Sequence, residues 1–231
     1  MLLSKIIYNI KNLYSGGIQS DDINLSDSQL AHIINYYRAK LIKQEQEKSK
    51  GIKDLYIQNL GKLDVDKFDK NECCEIENCT LRTKLKIPKP LESNIGLNLS
   101  FVGLINGTPF QRYNANSAYW KQFNKYTAKS PGYYYQNGYI YLVNVPNIML
   151  SYINIQGIFE DPQIAEEFRT CDCSQNNEQC SDTGYDFEYP IPAHLEDTLF
   201  KMIMDSELRV PVNQTDTTNN ALSETSNITT K

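Results

Sequence analysis

Histidine is nearly absent from this chain: His32 and His194 are the only two among 231 residues, and there is a single tryptophan, Trp120. His32 sits beside the apolar stripe of an expected helix and His194 in the first turn of another. Both read as packing or capping residues rather than as bases. No Ser-His-Asp order is suggested. The glycines around Gly103 and Gly107 lack the spacing and the following lysine of a phosphate-cradling loop, and no dinucleotide fingerprint follows a strand. A basic surplus is also lacking. With a formal net charge of -5 and a pI near 5.2, the chain is not built to neutralise many phosphates, so DNA is not an expected bound ligand. Lys5 and Lys11 interrupt the apolar start, and no apolar run approaches the roughly twenty residues that cross a bilayer. A soluble protein without an export signal is expected. The glycosylation-like triplets at Asn98, Asn106 and Asn227 are then chance matches in an Asn-rich chain. The 16 tyrosines and the many Asn, Lys and Ile residues follow AT-rich codons and carry little functional weight.

What is present is enough apolar sequence, 40%, for one principal core. Leu3, Ile6, Ile7, Ile10, Leu13 and Tyr14 recur at helical spacing, and Gly16-Gly17 stop the run. Ser26 and Gln29 form a capping-box pair ahead of a stripe of Leu30, Ile33, Ile34, Tyr37 and Leu41. The end of that second helix, residues 43–48, is polar all round, which fits a helix leaving the core towards solvent or a partner. From about Lys53 to Phe159 the pattern turns to strands, notably over 97–102 and 150–159. Tyr133 to Val143 reads as a hairpin turning at Asn137-Gly138. Asp161-Pro162 then caps and opens a short helix through Ile164 and Phe168. A last helix starts near Pro192, with Leu195, Leu199, Met202, Ile203 and Leu208 on one face. The expected fold is α+β: an N-terminal helical pair (1–52) and a C-terminal helical part (161–212) pack together, with a β-rich, sandwich- or barrel-like middle (53–160). An extended polar tail (213–231) has almost no large apolar residue, cannot fold alone, and is expected to be held by another chain.

Six cysteines fall in two triplets, Cys73, Cys74, Cys79 and Cys171, Cys173, Cys180. A reducing compartment disfavours disulfides, and neither triplet has the spacing of a zinc knuckle. Reduced thiols are the simplest reading; disulfides formed after assembly and a zinc site stay open, and in each case the clusters are structural. No cofactor is expected. Asp21-Asp22, Asp64/Asp66 and Glu166-Glu167 are expected in turns or first turns of helices, where carboxylates offset the helix dipole or solvate a loop. Trp120 among Tyr113, Tyr119, Phe123 and Tyr126 has the makings of a stacking platform, but packing in the core or between subunits is the expected role.

The order of elements resembles one family. An N-terminal helical pair, with Ile6 to Tyr14 and the helix start at Leu25-Ser26-Asp27-Ser28-Gln29-Leu30, precedes a β-rich insertion. Ile155-Gln156-Gly157-Ile158-Phe159-Glu160-Asp161-Pro162 follows, then Tyr189-Pro190-Ile191-Pro192, the last helix and a polar tail. This is similar to the head-to-tail adaptor or ring proteins of tailed bacteriophages, nearest to a portal-proximal ring protein of crAss-like podoviruses. The resemblance implies a virion structural protein and not an enzyme. It implies a closed homo-oligomeric ring, twelve-fold to match the portal, made in the host cytoplasm and placed at the portal vertex, through which the genome passes. Its partners would be further copies of itself, the portal, neighbouring tail and ring proteins, and genomic DNA in transit, with no membrane. An acidic conduit repels the DNA backbone rather than trapping it. Cyclic rings need heterologous contacts, and the end of the second helix (Lys43, Glu45, Glu47) and the tail (Asn213, Thr215, Asn219, Lys231) are the expected ones. The competing reading is a small cysteine-stabilised module, with zinc as an option, that holds a glycan or peptide near Trp120.

Overall fold

Two stretches with apolar residues at helical spacing open the chain, and both become helices. α1 spans Leu3–Tyr14 and buries Leu3, Ile6, Ile7 and Ile10, whereas Leu13, expected in the same stripe, is 55% exposed. α2 spans Asp27–Ser49. It starts at the expected reciprocal cap: the Gln29 N–H donates to Ser26 Oγ, and the Ser26 N–H donates to Gln29 Oε1, each at 3.2 Å. α5, Ala193–Ser206, completes the same core. It buries Leu195, Leu199 and Ile203, and Leu208 is buried just beyond its end. The three helices share one core with Tyr56, Leu91, Ile158 and Tyr189. This computed structural model describes residues 1–15, 25–49, 54–67, 81–94, 96–121, 123–145, 150–170 and 184–208.

The middle forms a curled seven-stranded sheet, so the fold is α+β as expected. Its strands are β1 (Gln58–Lys67), β2 (Leu81–Thr83), β5 (Leu99–Gly103), β6 (Gln111–Arg112), β7 (Gly132–Gln136), β8 (Tyr139–Val143) and β9 (Tyr152–Gly157), in the order β5-β9-β1-β2-β8-β7-β6. β3 (Glu92–Ser93) and β4 (Gly96–Leu97) make a separate small hairpin. A second core lies on the sheet, with Leu60, Leu63, Val65, Val102, Ile140, Ile153, Ile155 and Phe159 among its members.

The β7–β8 hairpin turns at Asn137 and Gly138, with φ of 53° and 88°, the left-handed pair that a tight turn requires. In β1 the pairing with β9 slips between Asn59 and Lys62, where Gly61 takes a φ of 77°. This bulge lets Leu60 and Leu63 both face the core although they are three residues apart. Asp64 and Asp66, expected in a turn, instead occupy the outward positions of β1, alternating with buried Leu63 and Val65. The alternation of an exposed strand face suits them as well as a turn would.

α3 (Ala115–Lys121) lies between β6 and β7. α4 (Pro162–Thr170) packs against β1. Asp161 Oδ1 caps α4 by accepting from the N–H of Gln163 at 3.0 Å and of Ile164 at 3.4 Å. Ile164 is half exposed, while Phe168 packs against the sheet core. Glu166 and Glu167 sit past the first turn of α4, and Glu166 pairs with Arg169 one turn on, so an ion pair rather than the helix dipole holds it.

Candidate assembly surfaces

The polar end of α2 faces solvent on one side only: Lys43, Gln44, Glu47 and Lys48 are exposed, whereas Gln46 is not. Gln46 is buried and its Oε1 accepts from Asn98 Nδ2 at 3.2 Å. On either side of it, Glu45 accepts from the Tyr56 hydroxyl at 3.2 Å and Glu47 from Asn94 Nδ2 at 2.8 Å. These bonds tie one side of the helix end to the β3–β4 region and to the 3-10 turn at Asp54–Tyr56, while Gln46 Nε2 has no partner among the described residues. Of the three helix residues expected at a subunit contact, Lys43 is exposed, whereas Glu45 and Glu47 are already engaged within the chain. Asn213, Thr215, Asn219, Lys231 and the rest of the tail lie outside the described residues, as do Cys73, Cys74, Cys79, Cys171, Cys173 and Cys180 and the Asp21-Asp22 pair. Among the described residues no group of three or more His, Cys, Asp or Glu could hold a metal ion. His32 and His194 are both exposed on their helices.

The aromatic segment is different. β6 pairs with β7 in parallel, through Gln111 with Gly132 and Arg112 with Tyr133. Parallel neighbours require a crossover, and here it is α3 with the turns that follow. The crossover is anchored at its root: Tyr113 is buried, and its ring fills the place where a Cβ on Gly132 would stand, 2.2 Å from the nearest ring atom. Its far part is outside. Trp120 is 68%, Phe123 66% and Tyr126 86% exposed, which rules out the core-packing role for these three. The Trp120 and Phe123 rings lie 6.3 Å apart.

This surface is held in shape by short polar side chains bonded to its backbone. The Thr127 hydroxyl donates to the Lys121 carbonyl at 2.8 Å, and the Tyr126 N–H donates to Asn124 Oδ1 at 3.0 Å. Asn144, at the end of β8 with a φ of 57°, donates from Nδ2 to the Thr127 carbonyl at 3.0 Å. Exposed aromatics on a bonded frame lose little conformational freedom on docking. No residue pattern in the sequence distinguishes them from core aromatics. What was available was their interleaving with Lys121, Lys125 and Lys129.

A second feature lies where the two cores meet. Arg38 of α2 is fully buried; its Nη1 donates to the Phe159 carbonyl at 3.0 Å and its Nε to the Pro190 carbonyl at 3.1 Å. The guanidinium also sits 5.6 Å from the centre of the Tyr189 ring. Burial pulls the Arg38 pKa down and pushes that of Tyr189 up. The Tyr189 hydroxyl donates to Asn35 Oδ1 at 2.8 Å, and Asn35 Nδ2 donates to Asp161 at 3.2 Å. Beside this network a groove of about 540 Å³ opens, its lining mixed: Leu55, Ile57 and Tyr189 with Gln58, Asn59 and Arg169, edged by Glu166, Asp186 and Glu188. Leu55 is 66% exposed at its mouth.

A buried polar clasp between two cores, with aromatic and acidic surfaces turned outward, has the character of a structural protein that presents faces to other chains. A family model described as phage tail ring protein 2, from crAss-like phages, matches residues 5–225, and the chain belongs to that family. It is therefore a structural component of a phage virion, in the tail, of a kind that associates with itself and with neighbouring tail proteins. No curated protein matches the chain. No helix among the described residues is long and apolar enough to cross a membrane.

Proposed function

We propose that this chain forms a closed ring of twelve copies next to the portal, an adaptor through which the phage genome passes during packaging and ejection. The observation that carries the proposal is the match to a tail ring family over residues 5–225. A net charge of -5 supports a conduit role, because a wall that repels phosphate lets DNA slide. Lys43 and the tail residues Asn213, Thr215, Asn219 and Lys231 are assigned to contacts with the next subunit, the portal or an adjoining ring; Glu45 and Glu47, bonded within the chain to Tyr56 and Asn94, are not. The Thr-, Asn- and Ser-rich composition of that tail supports a segment that orders on a partner.

Native mass spectrometry of the purified chain, alone and with the portal, tests the reading. A twelve-fold mass, alone or on the portal, is the expected result. A species that stays at 26.6 kDa and ignores the portal overturns it in favour of a monomeric binding module. Deleting residues 213–231 should leave the fold intact and weaken assembly; unimpaired rings docking on the portal would remove the tail from the contact.

A further inference from the structure

Charge is distributed very unevenly along this chain. Between Ser93 and Phe159 there is no Asp or Glu, and there are four basic residues, Arg112, Lys121, Lys125 and Lys129. That segment carries +4 in a chain of formal net charge -5, which leaves -9 on the rest. Three of the four cations stand on or just after α3, interleaved with exposed Trp120, Phe123 and Tyr126. The groove beside Tyr189 differs in charge: its lining is mixed, polar and apolar, Arg169 within it is paired with Glu166, and Asp186 and Glu188 stand exposed at its edge.

The two surfaces belong to different parts of one subunit. The crossover packs on β7, and the groove includes Gln58 and Asn59 at the start of β1; β2 and β8 lie between those strands. Three strand spacings of about 4.8 Å put roughly 14 Å of sheet between them. An exposed aromatic and basic surface and a recess of mixed polarity with an acidic edge, at separate places, are what a head-to-tail contact needs, and repetition of such a contact closes a ring. The recess lies within the ~300–1,000 Å³ typical of pockets that bury a whole ligand, so it has room for aromatic side chains.

We propose that the crossover of one copy, through Trp120, Phe123 and Tyr126, seats in the groove beside Tyr189 of the next copy, with Lys125 and Lys129 facing Asp186 and Glu188. The proposal rests on the ring reading and identifies the contact that builds the ring. Aromatics at the centre supply the affinity, and the charges set register and direction. Basic and aromatic side chains also suit single-stranded nucleic acid. A complementary recess on the same chain favours a second copy.

The test uses the full chain under conditions where the unmodified protein assembles, alone or on the portal, read by native mass spectrometry across a concentration series. Lys125→Glu with Lys129→Glu, and separately Asp186→Lys with Glu188→Lys, should each raise the concentration needed for assembly at least about tenfold. Both pairs alter exposed residues, so melting should be unchanged. The chain carrying all four substitutions, and an equal mixture of the two double variants, should assemble again, since each restores opposite charge across every contact. Trp120→Ala with Phe123→Ala should abolish assembly without recovery. The proposal is overturned if the double variants assemble normally, if the combination fails to recover, or if the aromatic variant still forms rings. Intact assembly with lost retention of single-stranded DNA would assign the crossover to nucleic acid instead. Failure of the unmodified chain to assemble under any condition removes the ring reading itself, a result separate from all of these.

Discussion

Replacing Arg38 isolates the tie between the two cores. It reaches from α2 to the carbonyls of Phe159, in the sheet core, and of Pro190, beside Tyr189 of the helical core. Among the described residues its Nη2 has no partner. Two opposing terms decide the outcome. Removing the guanidinium relieves the desolvation of a buried cation, a term that often makes apolar replacements neutral or stabilising. Against it, two buried carbonyls lose their donors, at about 1–3 kcal/mol each. Because no carboxylate among the described residues is bonded directly to the cation, the carbonyl term should win. Arg38→Met, which keeps most of the volume, should cost about 2 kcal/mol; Arg38→Ala adds a cavity and should cost about 3 kcal/mol or more. For a chain of this size each kcal/mol moves the melting temperature by about 2–4 °C. Urea denaturation and thermal melting followed by circular dichroism measure both variants. An Arg38→Met protein as stable as the original, or more so, would refute the reasoning, because desolvation would then outweigh the carbonyls.

Other consequences can be checked with the same assays. Burial raises the Tyr189 phenol above its usual 10.0, so its contribution is complete below pH 10. Above that pH the unfolded chain loses its proton first, and stability should fall by about 1.4 kcal/mol per pH unit. Tyr189→Phe should flatten part of that alkaline slope in melts between pH 9 and 11; an unchanged slope would contradict a dry phenol. Gly132→Ala drives a Cβ to 2.2 Å from the Tyr113 ring, and should cost about 1–3 kcal/mol while making the crossover cleavable by limited proteolysis. Asn98→Ala strips the donor from buried Gln46 and should cost about 2 kcal/mol in urea titrations; a loss below 0.5 kcal/mol would mean that water replaces the bond.

Where local chemistry decides structure, the sequence was legible. The Ser26 and Gln29 cap, the Asp161-Pro162 start of α4 and the Asn137-Gly138 turn each depend on neighbours within four residues, and each stands where the sequence puts it. Long-range partners were not legible. Arg38 occupies a position on the same stripe as Ile34, Tyr37 and Leu41, so a cation among apolar residues was visible. The two carbonyls that make it tolerable come from more than a hundred residues away. Gln46 looked solvated for the same reason: its partner, Asn98, arrives from the β3–β4 region. β1 hid its alternation behind the Gly61 bulge, which resets the period-two pattern. Parallel pairing of two-residue β6 carries no sequence signal, and it is that pairing which throws the crossover outward.

The elements that stabilise this subunit and those available to join it to others are physically distinct. Buried polar residues are concentrated where segments of one chain meet: Arg38, Asn35, Gln46 and Asn98 all lie between elements. Each depends on a partner's position to within tenths of an ångström, so they fix how the helical core sits on the sheet. The crossover aromatics make the opposite use of side chains. Their frame is set by side-chain-to-backbone bonds from Asn124, Thr127 and Asn144, and the rings themselves are left outside. It follows that substitutions at the two places should separate cleanly. Loss of Arg38 should lower melting and, through it, assembly, whereas loss of Trp120 and Phe123 should lower assembly at unchanged melting. A crossover variant that melted early would show that the exposed rings support the fold of their own subunit, and the division between folding and joining would fail at that point.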